Sequence, residues 1–106
     1  MSFNVLFIAH APDAEKDRHR SEIDTGKYRL LTVVVRNQAE ALDIAREIVA
    51  DQDIDTVLLC PGFTHSDVAE LSEALGDAVG VAVARGDGPG NRISAQARQR
   101  EGYTMS

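Results

Sequence analysis

Apolar residues recur along this chain in two rhythms. Phe3 to Ala9 alternates and then saturates with apolar side chains, and Tyr28 to Arg36 (YRLLTVVVR) is dense in β-branched ones, so both predict strands. Val57, Leu58, Leu59 and Cys60 form a short apolar run that stops at Pro61-Gly62, the pattern of a strand buried on both faces. Val79 to Ala84 (VGVAVA) predicts a last strand. Between these runs the period changes to that of a helix. Ala41, Leu42, Ala45, Ile48 and Val49 make a broad apolar stripe behind Asn37, with Glu40 at the capping-box position. Val68, Leu71 and Leu75 repeat the stripe behind Thr64, with Asp67 three residues on, and Gly76 is placed to end that helix because glycine enters the left-handed region at little cost.

The remainder is weakly patterned. Asp13 to Lys27 is charged with almost no apolar face, which predicts a loop with a brief helical or extended piece. Ser21 to Asp24 pairing across Thr25-Gly26 as a hairpin is the alternative there. Gly86 to Asn91 (GDGPGN) reads as a linker-like turn, and the chain beyond is polar and basic, with Ile93, Tyr103 and Met105 scattered through it. Strands joined through helices run parallel. The expectation is therefore a small α/β fold with a mostly parallel four-stranded sheet and two main helices, a flavodoxin-like fragment or related sandwich. Residues 1–90 form the single domain, and residues 91–106 form a C-terminal tail lying on the domain or on a second subunit. Two helices cover only one face of a sheet that is apolar on both if the strand order is sequential, so either they lie on opposite faces or the tail or a second subunit covers the open one. A homo-oligomer, most simply a homodimer with the tail contributing, is expected, and an oligomerisation or partner-binding module without catalysis is one alternative function.

Composition narrows the partners. At 106 residues with 43% hydrophobic and 26% charged side chains, the chain has the make-up of one small globular domain. No apolar run reaches the ~18 residues of a membrane span, and the start MSFNVLFIAHA is too short and lacks the basic residues of a signal peptide. One cysteine forms no internal disulfide, which favours a reducing, cytoplasmic setting. The net charge of −6 is uneven: residues 40–77 hold ten acids against Arg46 alone. No stretch offers the basic face a nucleic-acid partner requires.

The chemistry-bearing residues gather where parallel strands end. That edge is expected to hold His10, the turn from Cys60 through His65, and Arg85 to Asp87, with the helix starts at Asn37 and Thr64 opening toward it. The opposite edge collects Asp51, Asp53, Asp55 and Asp77. A small anionic ligand suits the first edge, bound by Gly62, Phe63, Thr64, Arg85 and Asp87. Cys60 ends a strand just before a helix, a place that lowers a thiol pKa, and His65 or His10 is available as its base. The competing reading of Cys60 is a small buried hydrophobe. His10, His19, His65 and Cys60 match no compact zinc spacing, so no metal is expected, and no motif specifies a cofactor. Gly86-Asp87-Gly88-Pro89-Gly90 lacks the Lys-Ser/Thr ending of a phosphate loop.

Several short motifs carry a resemblance. Ala11-Pro12 after the first strand, His19-Arg20, Glu40-Ala41, Cys60-Pro61-Gly62-Phe63, and Val79-Gly80-Val81 with Arg85 and Asp87 recur in this order along most of the chain. The arrangement resembles a family of small, uncharacterised bacterial and archaeal α/β proteins, a domain of unknown function with a Cys-Gly-Gly-Phe turn. Pro61 here stands at a glycine of that turn, stiffening it and removing one amide donor. The resemblance implies an α/β fold and no particular activity.

Overall fold

The computed structural model describes residues 1–86 and 88–103. The elements run β1 (Phe3–His10), β2 (Arg20–Asp24), β3 (Tyr28–Val35), α1 (Gln38–Asp51), β4 (Thr56–Leu59), α2 (His65–Leu75), β5 (Gly80–Val83) and α3 (Gly88–Arg100). All strands join one sheet in the order β2-β3-β1-β4-β5, with β2 antiparallel to β3 and the other pairs parallel. The sheet thus has five strands rather than the expected four, and the described residues hold three helices rather than two.

The fifth strand is the hairpin alternative for the charged segment. β2 contributes one large apolar residue, Ile23, and all five of its residues are exposed. It forms because β3 offers an unpaired edge and the turn is locally closed: the Asp24 carboxylate accepts the Gly26 N–H at 2.8 Å. Upstream, the His19 ring nitrogen accepts the Glu15 N–H at 2.8 Å, and Arg36 donates to the Ala14 carbonyl at 2.7 Å, pinning the preceding loop over the edge. A short strand carrying Arg20, Glu22 and Asp24 is a poor template for further pairing.

From β3 the chain passes through α1 over β1 to reach β4, and then through α2 to the adjacent β5. Both crossovers advance in the same direction across the sheet. With the usual right-handed connection they fall on one face, and α1 and α2 touch there. The core is the layer between them and the sheet. Leu6, Ile8, Val33, Val35, Val57 and Leu59 project from the strands toward Ala41, Ile44, Ala45 and Ile48 of α1 and Leu71 of α2. Ala41 and Ala45 have no solvent exposure, and their small side chains let α1 lie close to the strands. Asn37 caps α1 by accepting the Glu40 N–H, while Thr64 and Asp67 form the expected reciprocal capping box on α2. Gly76 ends α2 at φ 77°.

The register defines the other face. Across the sheet one row reads Ile23, Leu30, Val5, Thr56, Gly80, and the next Ser21, Thr32, Phe7, Leu58, Ala82. Tyr28 beside Phe3 closes the rows at one end and Val34 beside Ala9 at the other. No helix of the buried core packs on these rows. In a doubly wound sheet the connection from the first strand to its parallel neighbour carries a helix on that side. Here the connection is the loop and β2, so the second layer is missing. Leu71 carries α2 into the single core that remains; Leu71→Ala is expected to lower unfolding free energy by about 3 kcal/mol in denaturant titration with an unchanged m-value.

Candidate functional site

The carboxyl ends of β1 and β4 lie side by side, at the point where the chain path reverses direction across the sheet. This crevice is where open α/β sheets usually hold ligands. β1 delivers His10 to it, and the residues after β4 make the tight turn Cys60-Pro61-Gly62-Phe63, in which the Phe63 N–H donates to the Cys60 carbonyl at 3.3 Å. The turn is short because α2 begins directly after it at Thr64.

Phe63 is fully buried and supports the imidazole of His10 from below, with ring centroids 4.0 Å apart and planes 27° from parallel. Gly62 passes close to both His10 and Cys60. A Cβ built there would sit 3.3 Å from His10 Nδ1 and 3.6 Å from Cys60 Sγ, so a larger residue would crowd the ring. The Arg85 guanidinium donates to the Pro61 carbonyl at 3.1 Å and steadies the outside of the turn.

The chain beyond β5 supplies the rest. Asn91 donates to the Gly86 carbonyl at 2.9 Å near the start of α3. At its far end the helix turns off at Gly102, and the Tyr103 N–H donates to the Arg98 carbonyl at 2.9 Å. Arg98 and Tyr103 thereby come to lie against His10, Cys60 and Gly62, enclosing a hollow of about 240 Å³. Two of the residues that line it carry an unpaired polar atom. Among the described residues, His10 Nε2 and Arg98 Nε are buried without a hydrogen-bond partner, and the one other such side-chain atom is Gln38 Oε1. Buried polar groups are normally paired, so two unpaired ones on residues lining a single hollow mark it out.

A wider cavity of about 540 Å³ opens at the opposite sheet edge, between Met1, Asn4, Gln52, Asp53 and Asp55. It holds none of those unpaired buried atoms, and its Asp55 carboxylate already accepts the Asn4 N–H at 2.9 Å. Size therefore favours one edge and chemistry the other. We follow the chemistry.

The comparisons with known proteins bear on the whole chain. A model of a family of unknown function, DUF6506, matches residues 3–98. The chain belongs to that family. No curated protein and no solved structure matches it. The DUF6506 match spans every strand, both capped helices and nearly all of α3, including Arg98.

Of the residues expected at the site, His10, Cys60 and Gly62 meet in the hollow of this DUF6506 chain. Phe63 lies beneath them, wholly covered, and Thr64 is committed to the α2 cap. His65 is exposed on the first turn of α2 and does not line the hollow. Arg85 is exposed and holds the turn from outside; Asp87 lies outside the described residues. No described hydrogen bond joins Cys60 to a histidine. Among the described residues no three His, Cys, Asp or Glu side chains converge to hold a metal ion, and no helix is long and apolar enough to cross a membrane.

Arg98 and Tyr103 were not anticipated. From Gly88 onward, the linker-like reading of residues 86–91 is replaced by the start of a 13-residue helix. Its sequence did hold a signal: ISAQARQR is composed largely of helix formers, with Ala, Gln and Arg prominent. What hid it was the lack of an apolar stripe, since α3 buries none of its own residues.

Burial lowers the His10 pKa below its ordinary 6.5, with the Asp67 carboxylate pulling weakly the other way. The ring is therefore neutral near pH 7. Between the folded and unfolded values the native chain binds fewer protons than the unfolded one, so stability rises with pH through that window. It is fully present above about pH 6.5 and is lost as the pH falls. Thermal unfolding followed from pH 7.5 to 5 should show the midpoint falling on the acid side, with a smaller fall in His10→Gln. An NMR titration should place the His10 midpoint below 6.5.

Proposed function

We propose that the chain binds a small anionic metabolite in the hollow between His10, the Cys60–Gly62 turn and α3. The single observation that carries this reading is that two residues lining the same hollow, His10 and Arg98, each hold a buried polar atom without a partner, Nε2 and Nε. A permanently charged guanidinium and a neutral imidazole beside an apolar turn suit a carboxylate or phosphate carried on a compact body. About 240 Å³ lies below the ~300–1,000 Å³ of drug-sized sites, which favours a small metabolite. The cationic role moves from Arg85, the expected residue, to Arg98. We read the scaffold as a flavodoxin-like fragment, because its parallel strands alone run β3-β1-β4-β5, the flavodoxin-like order without its last strand. In that reading the chain works in the cytoplasm.

Calorimetric titration against a panel of phosphorylated and carboxylated metabolites tests the proposal. A binder is expected, weakened about 10- to 100-fold by Arg98→Ala, in line with the ~1.5–3 kcal/mol of a hydrogen bond to a charged group. Arg85→Ala should cost less. A binder indifferent to both Arg98→Ala and His10→Gln would remove the reading.

A second reading, a cysteine-dependent isomerase or hydrolase of small substrates, has one observation in its favour: His10 Nδ1 and Cys60 Sγ converge on the same point beside Gly62. It requires an activated thiol. Under this reading native Cys60 is alkylated by iodoacetamide faster than the unfolded chain at pH 7, and His10→Gln abolishes the difference. A native thiol that reacts no faster than the unfolded one leaves binding as the function.

A further inference from the structure

The sheet face turned away from α1 and α2 has a property that burial of a core does not require: none of its strand residues is charged, although the end of α3 reaches it at Ala9 through Arg98 and Tyr103. Neither of its two five-residue rows, nor the Tyr28–Phe3 and Val34–Ala9 pairs that close them, includes an Asp, Glu, Lys or Arg. The chain as a whole is 26% charged, and the same strands do bear charges. Arg20, Glu22, Asp24 and Arg29 all fall on the opposite parity, toward the helices, where Arg29 pairs with Glu22 and hydrogen-bonds Gln52 at the end of α1. Along β2 the sorting is strict: its charged residues face one way, and Ser21 and Ile23 the other. Solvation alone does not sort an edge strand in this sense, because either face of an exposed strand would hydrate a charge.

The large apolar side chains exposed on the strands lie on this face. Phe3 is 48% exposed, Ile23 59% and Tyr28 40%, and the Phe3 and Tyr28 rings meet edge to face at 5.6 Å. Parallel sheets are almost always covered on both sides, and contiguous apolar patches of several hundred Å² mark interaction surfaces.

We propose that this face is covered by a second copy of the chain, the two sheets packing face to face with α1 and α2 outermost. Two properties of the chain select the occupant. The first is charge. The chain carries −6, concentrated in residues 40–77, which include α1 and α2. A basic partner would be drawn to the helix layer and finds nothing to pair with on the sheet face. A like-charged copy approaches across a strand surface without charges, with Arg98 of α3 at its Ala9 rim only, and stacking sends both acidic layers outward, beyond the ~8 Å screening length. The second is area. Five strands about 4.8 Å apart, with β1 rising about 3.3 Å per residue from Phe3 to Ala9, project roughly 400–500 Å² per copy. Accessible area over protruding side chains exceeds this projection, so two faces together reach the ~1,000 Å² that a specific interface needs. Aromatic side chains at the middle and rim of such a face match the usual make-up of interface cores.

Sedimentation velocity on the unsubstituted chain at tens of micromolar is expected to give the mass of two chains. Introducing charge with the double substitution Ile23→Lys and Tyr28→Lys should raise the dissociation constant at least about thirtyfold and give monomers, since buried interface anchors are worth that much. Glu73→Lys, on the exposed side of α2, should leave the dimer intact. A single-chain mass for the unsubstituted protein overturns the proposal, whether or not another partner then occupies the face. So does a doubly substituted chain that still sediments as a dimer. Should that variant fail to fold, NMR of the unsubstituted chain decides: concentration-dependent shifts at Phe3, Ile23 and Tyr28 support the interface, and shifts confined to α1 and α2 overturn it.

Discussion

The handedness of two crossovers governs this molecule. β3 to β4 and β4 to β5 are successive steps in one direction across the sheet, so right-handed connections put α1 and α2 on the same side. Everything buried follows from that. Leu6, Ile8, Val33, Val35, Val57 and Leu59 meet the alanine-rich stripe of α1 and Leu71 of α2, and among the described residues no second helical layer receives Phe7, Leu30 or Leu58. A helix between β1 and β3 would have supplied that layer. The charged segment there makes a loop and an exposed edge strand instead.

The same path creates the hollow. Because the chain crosses over β1 to reach β4, the ends of β1 and β4 become neighbours, and a histidine from one stands beside a cysteine turn from the other. The turn serves two purposes with few atoms. Phe63 goes down into the core and becomes the support of the His10 ring, while Gly62 stays small enough for that ring to lie against it. Structural and chemical roles are thus separated along four consecutive residues. The burial that positions His10 also keeps its imidazole neutral near pH 7, which suits hydrogen bonding to a ligand.

α3 is held differently from the other two helices. It buries none of its residues, carries Ile93 exposed, and is fastened near its ends by the Asn91–Gly86 bond and by the contact of Arg98 and Tyr103 with the hollow. A helix of this length has little stability of its own. Its attachment at the hollow is therefore part of what keeps it in place.

Local chemistry was enough to read the strands at Phe3, Tyr28, Val57 and Val79, both capping motifs and the Gly76 stop, because each is decided within a few residues by periodicity and by hydrogen bonds between neighbours. The meeting of His10 with Cys60 and Gly62 was legible too, since parallel strands must end together. Sequence offered the β2 hairpin only as the alternative to a loop, because β2 has Ile23 as its one large apolar residue and the strand edge it pairs with leaves no periodicity in the segment it recruits. Nor did it separate His65 from His10: both flank the same turn, but a helix start points His65 into solvent while a strand end points His10 over Phe63. Arg98 and Tyr103 were beyond its reach for a related reason. They lie against residues 36 or more positions away, and a contact made by tertiary approach alone imposes no spacing on the residues that make it.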